Sequence, residues 1–228
     1  MTSPKPNTVT HTRQPASGPA VDVRIVLFTV AHGALHIALP EAKGLRRLPH
    51  GEPTSGEALD TAARRILRHS TGIHEQYLEQ LSTLSVDDTA GWTLTVAYLG
   101  VVWWSAESEP EVASTWHDLR RRLDVGETDR MLIHYAIVRL RAKLSYTTIA
   151  FHLLPPTFTL SELQQTYEAV LERRLDKRNF RRRFVAANVL AATGTQRRDG
   201  SHRPALLYRF RAPHDRDSYL TPPWSDEA

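Results

Sequence analysis

The chain has 228 residues, of which 41% are hydrophobic and 24% charged, a composition typical of a globular protein with one or two domains. No stretch approaches the roughly 20 apolar residues that a membrane span needs, and the absence of cysteine excludes disulfides and thiolate metal sites. A reducing cytoplasm is therefore the expected location. Residues 1–20 contain Pro, Ser, Thr and Gly without an apolar core, which predicts a disordered tail rather than a secretory signal.

The formal net charge of +4 is distributed unevenly along the chain. Residues 147–213 contain 12 Lys and Arg against 5 Asp and Glu, whereas the remainder is slightly acidic. This asymmetry predicts two modules, of which the second has a polyanionic partner. The alternative is a solvated basic surface that binds no polyanion.

The first half of the chain predicts strands with one inserted helix. The β-branched run Val21–Val30 predicts a buried strand, and Ala34–Leu39 is expected to pair back onto it across a His-Gly turn. Thr93–Trp104 predicts another strong strand, and the segment TWHDLRRRL that follows favours a helix. An α/β (α+β) sandwich is the expected fold of this half.

The helix of the first half is predicted within the segment GEPTSGEALDTAARRILRHSTGI. Thr54 and Glu57 have capping-box spacing, and Gly72 is expected to end the helix. Between them, apolar side chains recur at helical spacing and predict one buried face: Leu59, Ala62, Ala63, Ile66 and Leu67.

The second half predicts a long amphipathic helix and then a smaller domain. Helix Asp129–Lys143 is expected to bury Leu132, Tyr135, Ala136, Val138 and Leu140, and it marks the domain junction. Three short helical segments and a basic β-hairpin follow, an order typical of a winged helix-turn-helix. The expected boundaries are 21–128 for the first domain, 129–146 for a linker helix, 147–212 for the winged helix and 213–228 for a flexible tail.

The segment DKRNFRRRFVAANVL predicts a DNA-recognition helix. Asp176 suits its N-terminal cap, and Phe180, Phe184 and Ala187 share one face, so the arginines point away from the core. Arg and Lys at the start of such a helix pair with guanine, and Asn pairs with adenine. The alternative is an arginine-rich surface helix without nucleic acid. The candidate DNA-binding residues on the helix and the wing are Lys177, Arg178, Asn179, Arg181, Arg182, Arg183, Arg197, Arg198, His202 and Arg203.

The strings LDKRNFRRR and HRPALLYRF, within Leu140–Phe210, resemble the C-terminal domain of the NrtR family of Nudix-related transcriptional regulators. The resemblance implies a homodimeric bacterial repressor, with a Nudix-like α/β/α sandwich that senses a small molecule and a winged helix that binds double-stranded operator DNA. In the NAD-linked members it implies ADP-ribose as the effector and genes of NAD biosynthesis or salvage as the targets. Other relatives sense sugars or different metabolites.

The Nudix pattern G-x5-E-x7-R-E-U-x-E-E-x-G-U, in which U is a bulky aliphatic residue, aligns with residues 51–73. Six of its nine specified positions match. The three central glutamates are replaced by Ile66, His69 and Ser70. Mg²⁺ binds oxygen ligands, and carboxylates at these positions would share one helix face. The substitutions therefore predict Nudix architecture with no catalytic residues, no metal site and no cofactor.

The candidate effector-binding residues are Arg46, Arg47, Glu57 and Arg65, since the arginines can pair with a pyrophosphate. The residues alone leave the effector open among ADP-ribose, NAD-related nucleotides and phosphorylated sugars. They also leave two other functions open. One is a Nudix hydrolase of ADP-ribose or another nucleoside diphosphate derivative with a basic accessory domain, and the other is an interaction scaffold.

Overall fold

The computed structural model describes residues 20–42, 44–74, 77–88, 91–105, 107, 115–198 and 204–211. The flexible tail predicted at 213–228 and all of the predicted tail 1–20 except Ala20 lie outside these residues. The strands are β1 (Ala20–Ala31), β2 (Ala34–Ala38), β3 (Glu41–Ala42), β4 (Leu45–Arg46), β5 (His50–Gly51), β6 (Tyr77–Asp88), β7 (Gly91–Val101), β8 (Trp116–Asp118), β9 (Phe158–Thr159), β10 (Leu190–Arg197) and β11 (Ala205–Phe210). The α-helices are α1 (Leu59–Thr71), α2 (Glu127–Leu144), α3 (Leu160–Leu171) and α4 (Lys177–Ala186), and a 3₁₀ helix spans Ile149–Leu153.

A six-stranded mixed sheet forms the centre of the first half. Its order is β6-β7-β1-β2-β8, with β5 paired to β1, and only the β1–β7 pair is parallel among the pairs described. The predicted hairpin between β1 and β2 is confirmed. Its turn residues His32 and Gly33 have φ of 49° and 70°, as a tight hairpin turn with two left-handed residues requires.

The sheet has α1 on one face and α2 on the other. Alternate side chains of β1 pack on opposite faces of the sheet, because successive side chains of a strand point to opposite sides. Ile25 and Leu27 pack with α1, whereas Val26 and Phe28 pack in the cluster that contains α2. The predicted α/β/α sandwich is confirmed.

The first half differs from the sequence predictions in three places. Strand β6 was not predicted, and the segment expected to be helical around TWHDLRRRL contains strand β8, which pairs with β2. Trp116 is buried there with its ring 5.8 Å from that of Trp104, so tertiary packing decides its conformation. Helix α1 begins at Leu59 without a side-chain cap, since the Thr54 amide and hydroxyl both donate to Glu57 in a separate turn.

Helix α2 is two residues longer at its start than predicted and buries a different set of side chains. Leu132, Ala136 and Leu140 are fully buried, as expected. Tyr135 and Val138, which were also expected to be buried, are instead 44% and 54% exposed. No helix in the described ranges is both long and apolar enough to cross a membrane.

The last third of the chain forms a winged helix, as predicted. The 3₁₀ helix, α3 and α4 pack around Phe151, Tyr167 and Phe184, and a small sheet of order β10-β11-β9 completes the domain. The same hydrophobic cluster continues into α2 and the central sheet. Arg141 of α2 adds a contact, because its guanidinium donates to the Val170 carbonyl at 2.9 Å and pairs with Glu172 at 2.7 Å.

Candidate functional site

Helix α4 is fixed in orientation by its N-terminal cap and its aromatic face. The Asp176 carboxylate accepts a hydrogen bond from the Asn179 amide at 2.7 Å, as predicted. Phe180 and Phe184 are buried, and their rings meet Tyr167 edge-on at 5.5 and 5.4 Å. The aromatic contacts set the rotation of α4 about its axis, so the opposite face is presented to solvent.

The predicted DNA-binding residues of α4 divide into two groups in the structure. Lys177, Arg178 and Arg182 are exposed, whereas Asn179, Arg181 and Arg183 are partly buried. The Arg182 guanidinium donates to the side-chain oxygen of Asn179 at 3.1 Å, and Asn179 lies in the first turn of α4. Among the described atoms, Arg181 donates to the Ser161 hydroxyl of α3 at 3.2 Å.

Two of the four predicted wing residues, Arg197 and Arg198, lie among the described residues. Arg198 is exposed at the end of β10, and His202 and Arg203 lie outside the described residues. Arg197 does not extend freely from the wing, because its guanidinium is 2.5 Å from a carboxylate oxygen of Glu162 in α3. Sequence inspection missed this pair, since its members are 35 residues apart.

Glu168 holds the turn between α3 and α4, and it was not among the predicted functional residues. Glu172 ends α3 in the left-handed conformation, with φ of 52°. The Glu168 carboxylate accepts from the Leu175 amide at 2.9 Å and pairs with Arg174 at 3.1 Å. Burial alone would raise the pKa of Glu168, but the bonds from Leu175, Gln164 and Arg174 lower it overall. The carboxylate therefore stays ionised and holds the turn that leads into α4.

Arg46 and Arg47 line a cavity of about 420 Å³ on the first domain, beside the start of α2. Arg24 and His50 add basic side chains to its wall. Arg46 also pairs with Glu41 at 3.7 Å and borders a second cavity of about 490 Å³, to which Arg121 and Arg122 contribute. Three carboxylates, Asp124, Glu127 and Asp129, also line the 420 Å³ cavity, so its wall carries both charges, and the Arg46 and Arg47 guanidiniums are the groups that suit an anionic ligand.

Asp129 organises the wall of the 420 Å³ cavity. This buried carboxylate accepts from the Arg24 guanidinium at 2.7 Å and from the Leu48 amide at 3.1 Å. Arg24 also pairs with Asp22 at 2.6 Å. Burial lowers the pKa of Arg24, but Asp22 and Asp129 outweigh it and raise that pKa. Neither Arg24 nor Asp129 was predicted as a site residue, since partners 105 residues apart leave no local pattern.

Glu57 and Arg65 bind each other rather than joining Arg46 and Arg47. The Arg65 guanidinium donates to both carboxylate oxygens of Glu57, at 2.8 and 2.7 Å, and to the Glu52 carbonyl at 3.0 Å. The Arg65 hydrogen bond, together with the Thr54 amide, lowers the pKa of Glu57 to about 2. Neither residue lines the two cavities that Arg46 borders. Their observed contacts fix the loop in front of α1.

The replaced Nudix positions differ in their surroundings. Ile66 is buried, and a side-chain carbon added to Gly51 would lie 3.4 Å from its Cγ1 atom. His69 is exposed and Ser70 is partly buried on the following turn. Within the described ranges, no three His, Cys, Asp or Glu side chains are grouped so as to hold a metal ion.

Comparison with known proteins identifies the family. Residues 150–210 match the model of the NrtR DNA-binding winged helix domain. The chain is 34% identical to the ADPR-responsive transcriptional repressor NtrR of Acinetobacter baylyi over 206 aligned residues. The alignment covers 84% of this chain and 82% of the relative. The chain belongs to the NrtR family. The resemblance in LDKRNFRRR and HRPALLYRF is thereby confirmed.

Solved structures agree with this assignment to the NrtR family. NrtR of Shewanella oneidensis, crystallised in complex with a 27-mer DNA, is 30% identical to this chain and superposes on it with a TM-score of 0.75. The superposition covers 84% of this chain and 93% of the Shewanella chain. A MutT/nudix family protein from Enterococcus faecalis superposes with a TM-score of 0.64 over 85% of this chain and 86% of its own. It is 19% identical and shows a shared fold.

Proposed function

We propose that this NrtR-family protein is a transcriptional repressor that binds double-stranded operator DNA and responds to ADP-ribose. The observation that carries the proposal is the orientation of α4. Its buried Phe180 and Phe184 force Lys177, Arg178 and Arg182 outward at the end that would enter the major groove. The Acinetobacter relative is named as an ADPR-responsive repressor and the Shewanella relative is solved with DNA, which supports both parts.

In the proposed complex, the start of α4 contacts base edges and the wing contacts the backbone. Lys177, Arg178 and Asn179 occupy the first turn of α4, and Arg182 follows one turn later. The remaining candidate residues would contact backbone phosphates: Arg181, Arg183, Arg197, Arg198 and the predicted wing-tip residues His202 and Arg203. Phosphate contacts position a protein on the duplex without reading the DNA sequence.

Two copies of the chain are expected to bind one palindromic site in the cytoplasm, with target genes in NAD metabolism. Two-fold symmetry of a repressor matches the symmetry of its operator. The exposed apolar side chains Tyr135 and Val138 on α2 support a contact between copies. Light scattering of the purified protein at several concentrations measures the number of copies directly.

The 420 Å³ cavity is the proposed effector site. Arg46 and Arg47 would meet the pyrophosphate of ADP-ribose, while Glu57 and Arg65 would support the site indirectly through their loop. We expect no hydrolysis, because Ile66 is buried against Gly51 and offers no metal ligand where the Nudix pattern has glutamate. Release of AMP from ADP-ribose in the presence of Mg²⁺ would contradict this expectation.

A DNA-binding experiment with matched charge reversals tests the proposal. The probe is a duplex that the wild-type protein selects from random-sequence DNA. Arg178→Glu combined with Arg182→Glu reverses two exposed arginines four residues apart on α4. Arg64→Glu combined with Arg68→Glu makes the same change on the exposed face of α1. We expect only the α4 variant to lose affinity for the duplex by at least about 100-fold, since each base contact contributes about 1–3 kcal/mol. Equal losses in both variants would contradict the assignment.

A further inference from the structure

A groove lies between the first turn of α3, the start of α4 and the wing, and we call it the phosphate groove. It has a volume of about 860 Å³, and its lining includes three cations, Lys177, Arg181 and Arg197, and one carboxylate, Glu162. These cations attract a polyanion, and the N-terminal ends of α3 and α4, where the helix dipole is positive, also border the groove. The groove therefore suits a phosphodiester of the DNA backbone.

Glu162 uses its two carboxylate oxygens differently. One oxygen accepts from the Thr159 amide at 2.7 Å, and the Thr159 hydroxyl in turn accepts from the Glu162 amide at 3.1 Å. This reciprocal pair caps α3. The other oxygen is 2.5 Å from the Arg197 guanidinium. The cap needs only hydrogen-bonding groups, whereas the contact with Arg197 depends on the negative charge.

The ion pair between Glu162 and Arg197 is open to exchange. The two side chains are 31% and 37% exposed, so water and other anions can reach both. An exposed ion pair is a weak contact, and a phosphate matches the fork of an arginine at least as well as a carboxylate does. A DNA phosphate entering the groove would thus compete directly with Glu162 for Arg197.

Arg181 supports the same interpretation. Within the described residues it has no carboxylate partner, and it donates to the neutral Ser161 hydroxyl at 3.2 Å. Its Nε atom is buried without a hydrogen-bond partner. Because the Arg181 charge is not balanced by a carboxylate among the described residues, a phosphate that enters the groove would be attracted to its guanidinium.

From these contacts we infer that Glu162 stands in for a backbone phosphate in the DNA-free protein, and that operator DNA displaces it from Arg197. Glu162 thereby lowers the affinity for DNA, because its pairing with Arg197 must break before a phosphate can bind. The displaced carboxylate also leaves its negative charge beside the DNA, so the net positive charge that the protein brings to the backbone is lower by one. This inference rests on the proposed DNA-binding function.

Glu162→Gln tests the inference while preserving the cap, because glutamine can serve at this position of a capping box. Binding of the selected duplex is measured by fluorescence anisotropy between 50 and 200 mM KCl. The variant is expected to bind at least about threefold more tightly at 50 mM, and its plot of log affinity against log salt should be steeper by about 0.9. That slope makes its affinity fall about 3.5-fold more than the wild-type affinity across this range.

Three further variants show whether the change in slope comes from the pair of Glu162 with Arg197: Arg197→Gln, Arg197→Gln with Glu162→Gln, and Glu172→Gln. In an Arg197→Gln background, Glu162→Gln should leave the slope unchanged, because the guanidinium that would bind the phosphate is gone. Glu172→Gln removes a charge from another arginine-paired glutamate at the opposite end of α3 and should also leave the slope unchanged. A steeper slope in either protein, or weaker or unaltered binding by Glu162→Gln, would overturn the role of Glu162. Failure of the wild-type protein to select any duplex would instead overturn the proposed function, and the inference with it.

Discussion

Replacing Asp129 tests the contacts that join α2 to the central sheet beside the 420 Å³ cavity. Its carboxylate is only 6% exposed and receives hydrogen bonds from Arg24 and from the Leu48 amide. A hydrogen bond to a charged group contributes about 1.5–3 kcal/mol, and breaking a buried ion pair costs about 3–5 kcal/mol. Arg24 keeps its second partner, Asp22, at 2.6 Å. We therefore expect Asp129→Ala to lower the free energy of unfolding by about 3 kcal/mol, near the lower end of the buried-pair range.

Urea unfolding measures this loss, provided that the slope of free energy against urea stays constant among the variants. Asp129→Asn keeps the shape and one acceptor, so we expect a smaller loss of about 2 kcal/mol. Asp124→Asn is the matched control, because this carboxylate lines the same cavity but is exposed, and its replacement should change stability by less than about 0.5 kcal/mol. A loss below about 0.5 kcal/mol for Asp129→Ala would refute the reasoning.

Three other predictions follow from single contacts. Phe184→Ala should lower the free energy of unfolding by about 3–5 kcal/mol in urea, since the ring is fully buried, and a loss under about 1 kcal/mol would contradict the packing. Glu57 should titrate by NMR with a pKa of about 2, and Arg65→Gln should return that pKa toward 4.5; an unchanged pKa would rule out the ion pair. Burial lowers the pKa of His152 below 6.5, so the unfolded chain takes up a proton first and stability should fall as pH drops below 6.5. His152→Leu should reduce the difference in stability between pH 7.5 and 5.5, and an undiminished difference would show that another group causes it.

Local signals made α4 and the β1–β2 hairpin predictable. The cap, the spacing of the phenylalanines and the His-Gly turn each act within a few residues, so one sequence is sufficient to recognise them. The same spacing can mislead elsewhere. Thr159 and Glu162 form a capping box, whereas Thr54 and Glu57 have identical spacing and do not cap α1. In the second case the Glu57 carboxylate accepts hydrogen bonds from Arg65 and Thr54, in a turn that ends before α1 begins.

Long-range contacts determined what the sequence did not predict. Strand β8 forms because it pairs with β2, although its local sequence favours a helix. The Arg24–Asp129 and Arg197–Glu162 pairs join positions 105 and 35 residues apart, and an isolated arginine or aspartate carries no signal of such a partner. The helix of the Nudix-like segment was predicted, but the burial of Ile66 against Gly51 became visible only in three dimensions.

The most direct test of the account is the affinity of the wild-type protein for its selected duplex with and without ADP-ribose, beside the variant Arg178→Glu with Arg182→Glu. We expect the wild type to bind the selected duplex at least about 100-fold more tightly than a scrambled one, and the variant to lose this preference. We also expect ADP-ribose to change the wild-type affinity for the duplex, as linkage between two sites requires. Equal binding of selected and scrambled DNA, or an affinity that is the same at every ADP-ribose concentration, would contradict the proposed function.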